Sequence, residues 1–340
     1  MEPLVQIKNL HISFNTYAGE VKAVRGVSFD IYKGEMLGVV GESGCGKSVT
    51  SNAIMRILPT PPAEYKQGEI IMDGKNLLGL SESHMQRIRG KDIGMIFQDS
   101  MASLNPTMNV GSQIAEVIRR HQKVSSDKAK RQAIEMLHLV GLSNPEKRYH
   151  QYPHEFSGGM RQRAMIAIAL ALNPKLLIAD EPTTALDVTI QDQILKVMKT
   201  LIEKSDASVM LITHDLGVVA ETCRRVVVMY AGQIIEQGAA DHIFYNAKHP
   251  YTKGLLLSVP SMKMDKTKAL EPIVGSPPDL FSPPAGCPFY ARCKYAMKIC
   301  KDSCPVMEAI PENDGEAHEA SCWLNSLNYR EALGERAVTL

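Results

Sequence analysis

Three glycines within six residues, directly after an apolar run and directly before a lysine and hydroxyl side chains, leave a chain few ways to fold. The stretch is VVGESGCGKSVTS, residues 39–51. Gly41 to Ser48 fit the pattern G-x-x-x-x-G-K-[S/T], between the strand-like MLGVV and a helix expected from Lys47 to about Leu58, where PTPP stops it. Glycines let the main chain curl until successive N–H groups face inward, and a helix N-terminus adds partial positive charge, so the stretch reads as a cup for phosphate oxygens. The expected contacts are Gly41, Ser43, Gly44, Cys45, Gly46, Lys47, Ser48 and Val49. Lys47 would reach the β- and γ-phosphates, and Ser48 would hold Mg²⁺. Cys45 reads as a small loop residue rather than a reactive thiol.

The surrounding chain supplies a suitable scaffold. Residues 4 to 40 alternate apolar strands with turns expected at Gly19, Gly26 and Gly34. Helical periodicity dominates Ser100 to Leu172, as in Ile114, Val117 and Ile118, or Ala133, Ile134, Leu137 and Val140. Strands return at LLIAD (176–180), SVMLIT (208–213) and RVVVMYAGQII (225–235), with a helix from about Thr189 to Lys204. That alternation predicts a parallel sheet covered on both faces. A boundary is expected near residues 240–260, because prolines then crowd the chain from Pro250 to Pro311 and five of the seven cysteines follow Gly286. The expected division is 1–250, with a helical part over about 100–172, and a loop-rich extension over 251–340.

Charge and hydropathy remove several classes of function. A net charge of +1 with 22% charged residues gives no broad attraction to nucleic acid or anionic lipid. The longest nearly unbroken apolar run, Ala164 to Leu172, is far short of the roughly 18 residues a membrane span needs. The N-terminus MEPLVQIKNLHISF lacks a basic region followed by an apolar block, so the cytoplasm is the expected compartment.

Further along, KLLIADEPTTALD puts Asp180 and Glu181 at the end of an apolar strand, where a parallel sheet opens its ligand crevice. One carboxylate can hold Mg²⁺ and the next can take a proton from an attacking water. In isolation such a pair could equally be a helix cap or surface charge. Between the two motifs FSGGMRQR, residues 156–163, offers Ser157 as an N-cap and the free N–H groups of Gly158 and Gly159.

Taken in order and spacing, GESGCGKS, FSGGMRQR, LLIADEPTTALD and LITHD resemble the ATP-binding subunit of an ABC transporter over roughly residues 4–240. The resemblance implies an α/β P-loop NTPase fold, a RecA-like parallel core with an antiparallel β subdomain and a helical subdomain. It implies that Asp180 coordinates Mg²⁺ with Ser48, that Glu181 is the general base, and that Gln98 senses Mg²⁺ and the attacking water. It further implies that His214 orients that water and that Asp187 signals across a dimer. Tyr17, with Phe14 as the alternative, is expected to stack on adenine. Ser157, Gly158 and Gly159 are expected to act in trans, completing the ATP site of a second ATPase subunit that would be a distinct relative. Two separate permease subunits and an extracytoplasmic solute-binding protein complete the implied assembly, placed on the cytoplasmic face of the cell (inner) membrane, with no nucleic acid.

The tail HPYTKGLLLSVP, then GSPPDLFSPPAGCPFYARCKYAMKIC and EASCWL, resembles the C-terminal region of ATPases from oligopeptide and dipeptide importers. Nickel and other small-solute importers share much of it, so cargo stays open. Cys287, Cys293, Cys300 and Cys322 are spaced C-x5-C-x6-C-x21-C, and the only close pair of the structural-zinc kind is Cys300 with Cys304. Four thiolates so placed suit a [4Fe-4S] cluster, as the resemblance also implies. Cys304 is an extra thiol able to replace Cys300, and plain buried thiols are the metal-free alternative. Other classes of function are a soluble ABC ATPase outside transport and a regulatory module with a vestigial site; the absence of tandem domains and the intact Glu181 and His214 argue against them.

Overall fold

The computed structural model describes residues 2–98, 103–182, 188–205, 207–258 and 272–326. Strands β1 (Pro3–Thr16) and β2 (Gly19–Tyr32) form a long antiparallel hairpin. Gly26 is not at a turn: it lies inside β2 at φ +78°, opposite a register irregularity around Asn9, where an added Cβ would come within 3.3 Å of the Asn9 and His11 side chains. β3 (Met36–Val40) then enters a second sheet, while β4 (Ala63–Met72) and β5 (Lys75–Asn76) return to the first, giving the order β2-β1-β4-β5.

The second sheet gains β6 (Ile93–Ile96), β7 (Leu176–Asp180), β8 (Ser208–Ile212), β9 (Arg225–Tyr230), β10 (Gln233–Ala239), β11 (Glu308–Ala309) and β12 (His318–Ala320). Its order is β11-β12-β10-β9-β3-β8-β7-β6, and β9, β3, β8, β7 and β6 are mutually parallel. Every residue of β3, β7 and β8 is buried, as a sheet covered on both faces requires. Side chains alternate between two cores. Met36, Val40, Leu177 and Ala179 face the helical layer with Ile114, Leu137 and Ile166, whereas Leu37, Val39, Leu176 and Ile178 face the antiparallel sheet with Leu10, Ile12 and Ile54. The parallel α/β core, antiparallel sheet and helical insertion expected from the sequence are all present, the insertion as helices Val110–Gln122, Ser126–Leu139, Pro145–Tyr149 and Gly158–Leu170.

Two further local expectations are corrected. The helix starting at Lys47 stops at Met55, three residues early, because Arg56 turns into the left-handed region (φ 50°) and closes the last turn through its own N–H. RVVVMYAGQII is two antiparallel strands: Ala231 and Gly232, both at positive φ, make the two-residue turn that joins β9 to β10. The loop-rich extension also adds a short strand to the second sheet, β12 pairing with β10 through Gly238↔His318 and Glu236↔Ala320. His318, fully buried, is held by Glu236 (2.9 Å) and Glu312 (2.7 Å). A three-residue strand carries too little periodicity to be read from sequence.

Candidate nucleotide site and cysteine cage

The phosphate loop runs from β3 into the Lys47–Met55 helix. Gly41 (φ 150°) is obligatory, because a Cβ there would collide with the Met229 carbonyl and come within 2.8 Å of Cys45 Sγ. Gly46 (φ 100°) is likewise pressed against the Ala23 carbonyl, which an added methyl group would approach to 2.7 Å. The first helical bond is Thr50 N–H to Gly46 O, so the amides of Lys47, Ser48 and Val49 precede the helical ladder and belong to the cup. Ser43 and Gly44 crest the loop in solvent, while Cys45, Gly46 and Lys47 are buried. The Lys47 ammonium folds back on the carbonyls of Gly41 (2.7 Å) and Glu42 (2.9 Å). Burial raises the Cys45 thiol above its usual range, which fits a small, neutral loop residue.

Across the crevice, Ser48 Oγ donates to Asp180 Oδ1 at 3.1 Å. Burial pushes the Asp180 carboxyl above the ordinary carboxylate range; Glu181 adds to the shift, and Ser48 and Lys47 oppose it. A buried carboxylate bonded to a hydroxyl at a phosphate cup is a donor pair that fits a divalent cation, whose charge would offset the cost of burying the anion. Glu181 takes a left-handed backbone conformation, φ 48°, with its N–H on Ile212 O. Its carboxylate accepts from Gln98 Nε2 at 2.9 Å and lies 3.6 Å from His214 Nδ1. The three residues expected to be catalytic, from three different strand ends, thus meet around one carboxylate.

Ser157 caps the Gly158–Leu170 helix, accepting from Met160 N–H. A Cβ at Gly158 would meet nothing within 4 Å, so the chain's own packing does not explain that glycine. Gln162, on the same helix, donates to Pro182 O at 2.7 Å and ties the turn to the residue after Glu181; sequence reading missed this link, for which a glutamine inside a helix gives no signal. Tyr17 stands fully exposed at the β1–β2 turn, and Phe14 is half-buried below it. Asp187 lies outside the described residues.

The extension gathers its cysteines. Cys287, Cys293, Cys300 and Cys322 line one cavity with His249, Phe289 and Trp323. Cys304 does not line it; its thiol is directed at Gln233 Oε1, 3.9 Å away. Burial, reinforced by the neighbouring thiols, pushes Cys287 and Cys322 up to about 12 and raises Cys293 as well. The only His, Cys, Asp or Glu ligand atoms that gather in threes within 4.8 Å among the described residues belong to His242, Glu312 and His318, so the cysteine sulfurs are spread wider than a single-ion cage. His249 stays neutral, lowered to about 4 by burial, and its Nδ1 caps the Pro250–Leu257 helix through Tyr251 N–H.

A main-chain phosphate cup that shares its crevice with a hydroxyl–carboxylate pair and a glutamine-held carboxylate, all at the C-terminal ends of parallel strands, defines a nucleotide-hydrolysing cassette. Comparison with known proteins agrees. Residues 24–184 match the ABC transporter family, and residues 235–300 match the C-terminal region of oligopeptide/dipeptide transporters. The chain is 58% identical over 321 residues to the oligopeptide transport ATP-binding protein OppD of Bacillus subtilis (strain 168), covering 94% of this chain and 88% of that protein. It is 54% identical over 333 residues to the dipeptide transport ATP-binding protein DppD of the same organism, covering 98% of each. The dimeric, ADP- and phosphate-bound structure of the ATP-binding cassette MJ0796 superposes with a TM-score of 0.64 at 27% identity, covering 69% of this chain and 98% of that one. The chain belongs to the ABC transporter family, as an ATPase that carries the oligopeptide/dipeptide transporter C-terminal region.

Proposed function

We propose that the chain is the ATP-hydrolysing subunit of an importer of di- and oligopeptides, working as one half of a nucleotide-sandwich dimer. The meeting of Gln98, Glu181 and His214 around one carboxylate, across the crevice from Lys47, carries the reading of an active rather than vestigial site. Lys47 and the amides of the loop would hold the phosphates of ATP. Ser48 and Asp180 would hold Mg²⁺ with Gln98 beside them, and the ion would supply charge neutralisation and a template for the phosphate oxygens. Glu181 accepts the proton of the attacking water, and its strained backbone and two neighbours hold the carboxylate in place. His214 and Gln98 orient that water. Tyr17 would stack on adenine, and Asp187 would carry the dimer signal.

Gly158, free of any packing demand in its own chain, supports a turn that meets a second subunit, where Ser157, Gly158 and Gly159 would complete the phosphate site in trans. ATP then favours the closed dimer because only that state binds it from both sides. The partner is proposed as a distinct ATPase, and the pair would dock on two permeases fed by an extracytoplasmic solute-binding protein. No helix among the described residues is long and apolar enough to cross a membrane, in keeping with a peripheral subunit on the cytoplasmic face of the cell membrane. The relatives' names, oligopeptide and dipeptide transport, support the cargo class.

For the cysteines we propose a [4Fe-4S] cluster on Cys287, Cys293, Cys300 and Cys322, serving as a structural staple. Convergence of the four thiols on one cavity supports it, and each would give up its proton on taking the metal. Cys304 is left as a bystander. The experiment for the whole reading is uptake in reconstituted vesicles holding the subunit, its partner ATPase and permeases: peptide-stimulated ATP hydrolysis supports it, and stimulation by a metal ion or by no solute at all removes the cargo assignment.

A further inference from the structure

The extension reaches back and grips the phosphate loop at a single residue, Glu42. The Glu42 carboxylate receives both arms of the Arg292 guanidinium, Nη1 at 2.7 Å and Nη2 at 3.0 Å. Its main-chain N–H donates to the Tyr251 hydroxyl at 2.9 Å. Its carbonyl accepts from Lys47 Nζ. Glu42 is therefore pinned at all three of its polar groups, twice by the extension and once by the lysine that serves the phosphates.

Arg292 ties Glu42 to the rest of the extension. Its five N–H groups find five acceptors: two Glu42 oxygens, the Tyr230 hydroxyl (3.1 Å), Ile273 O (3.2 Å) and Val274 O (3.1 Å). The side chain is 6% exposed and lies over the rings of Tyr230 and Phe289. A planar fork so fully satisfied cannot be replaced by lysine, which would offer one point charge in place of two parallel bonds. Burial of the side chain also excludes the weak, solvent-screened role of a surface ion pair.

We propose that Arg292, seconded by Tyr251, is a positioning residue for ATP binding that acts through Glu42 on the phosphate loop. The proposal rests on the nucleotide reading of that loop. Arg292 fixes where the Glu42 carbonyl stands, the carbonyl fixes the Lys47 ammonium, and the loop is thereby set for phosphate before nucleotide arrives.

The test is binding of the fluorescent analogue N-methylanthraniloyl-ATP with Mg²⁺ to the full chain, with thermal melting alongside. Arg292→Ala and Glu42→Gln each weaken Kd about tenfold, Arg292→Lys behaves like Arg292→Ala, and the Arg292→Ala/Glu42→Gln double variant is no weaker than either single. Glu312→Gln, which loosens the extension at His318 without touching the loop, lowers Tm and leaves Kd unchanged. If Arg292→Ala lowers Tm but keeps the wild-type Kd, as Glu312→Gln does, the proposal is overturned; so too if the double variant loses the product of the single effects. Should Arg292→Ala not fold, Glu42→Gln, which leaves the extension's own contacts in place, decides through Kd alone. Lys47→Ala separates the two readings: its loss of binding beside an unaffected Arg292→Ala removes only the positioning role, whereas its retention of binding removes the nucleotide reading itself.

Discussion

The phosphate loop and the cysteine-lined cavity gather their polar groups in opposite ways. The loop spends eight consecutive residues and works mainly through main-chain N–H groups, so its shape is local and depends on glycines such as Gly41 and Gly46. The cysteine-lined cavity draws four side chains from Cys287 to Cys322, and one of its walls is Phe289, whose ring packs against Tyr230 and Tyr251. A site of main chain is a property of a segment, while a site of side chains is a property of the fold. Damage should therefore act differently at the two, through turnover and binding at the loop and through assembly at the cage.

The sharpest way to separate them is Glu181→Gln. Hydrolysis should fall between about a hundredfold and ten-thousandfold, with ATP affinity unchanged, iron content unchanged and a closed dimer accumulating on size exclusion. Full hydrolysis by this variant would refute Glu181 as the base. Next in size, Gly158→Ala should lower ATP-driven association at least tenfold by sedimentation, while the isolated subunit melts at the same temperature or slightly higher, since the new methyl meets open space. A drop in melting temperature instead would return that glycine to the chain's own packing.

On the cage side, Cys322→Ser should remove most of the bound iron and the brown absorbance of anaerobically purified protein, lower Tm by several degrees and leave Lys47-dependent ATP binding within about threefold. Stoichiometric zinc without iron would break the cluster assignment. The smallest effect concerns pH. Burial opposes a charge on His318, yet the bonds from Glu236 and Glu312 prevail and raise it above its usual value, with the Glu236 carboxylate held low in return. His242, paired with Asp314 and stacked on His318, completes the surroundings. A raised histidine contributes fully below its unfolded value of about 6.5 and loses that contribution as pH climbs through the folded one. Hydrogen-exchange protection at His318–Ala320, corrected for intrinsic rates, should thus decline on the alkaline side while that of β3 holds; protection independent of pH would show His318 to be neutral.

How far the molecule could be read in advance follows the same division. β3, β7, β8 and the start of the Lys47 helix were legible because short, almost wholly apolar runs and a fixed glycine pattern are local facts. Lys47, Ser48, Asp180 and Glu181 were named from the same local patterns, and Gln98 and His214 once order and spacing were compared with a family. The Ala231–Gly232 turn was hidden inside a mostly apolar stretch, with alanine where asparagine or aspartate would have signalled it. Arg292 was invisible as a partner of Glu42, since 250 residues separate them and a lone arginine among cysteines suggests nothing about a distant loop. Gln162 and His318 were silent for the same reason.

β12 does more than anchor the tail. Without it, β10 would offer a rim of open amides and carbonyls to any passing chain, an invitation to stack copies into ribbons. With it, the sheet finishes in β11, two residues long and too short to template growth. The proline-rich tail is thus also a stopper against self-association, and a version of the protein cut back to its cassette would be expected to clump before it could be assayed.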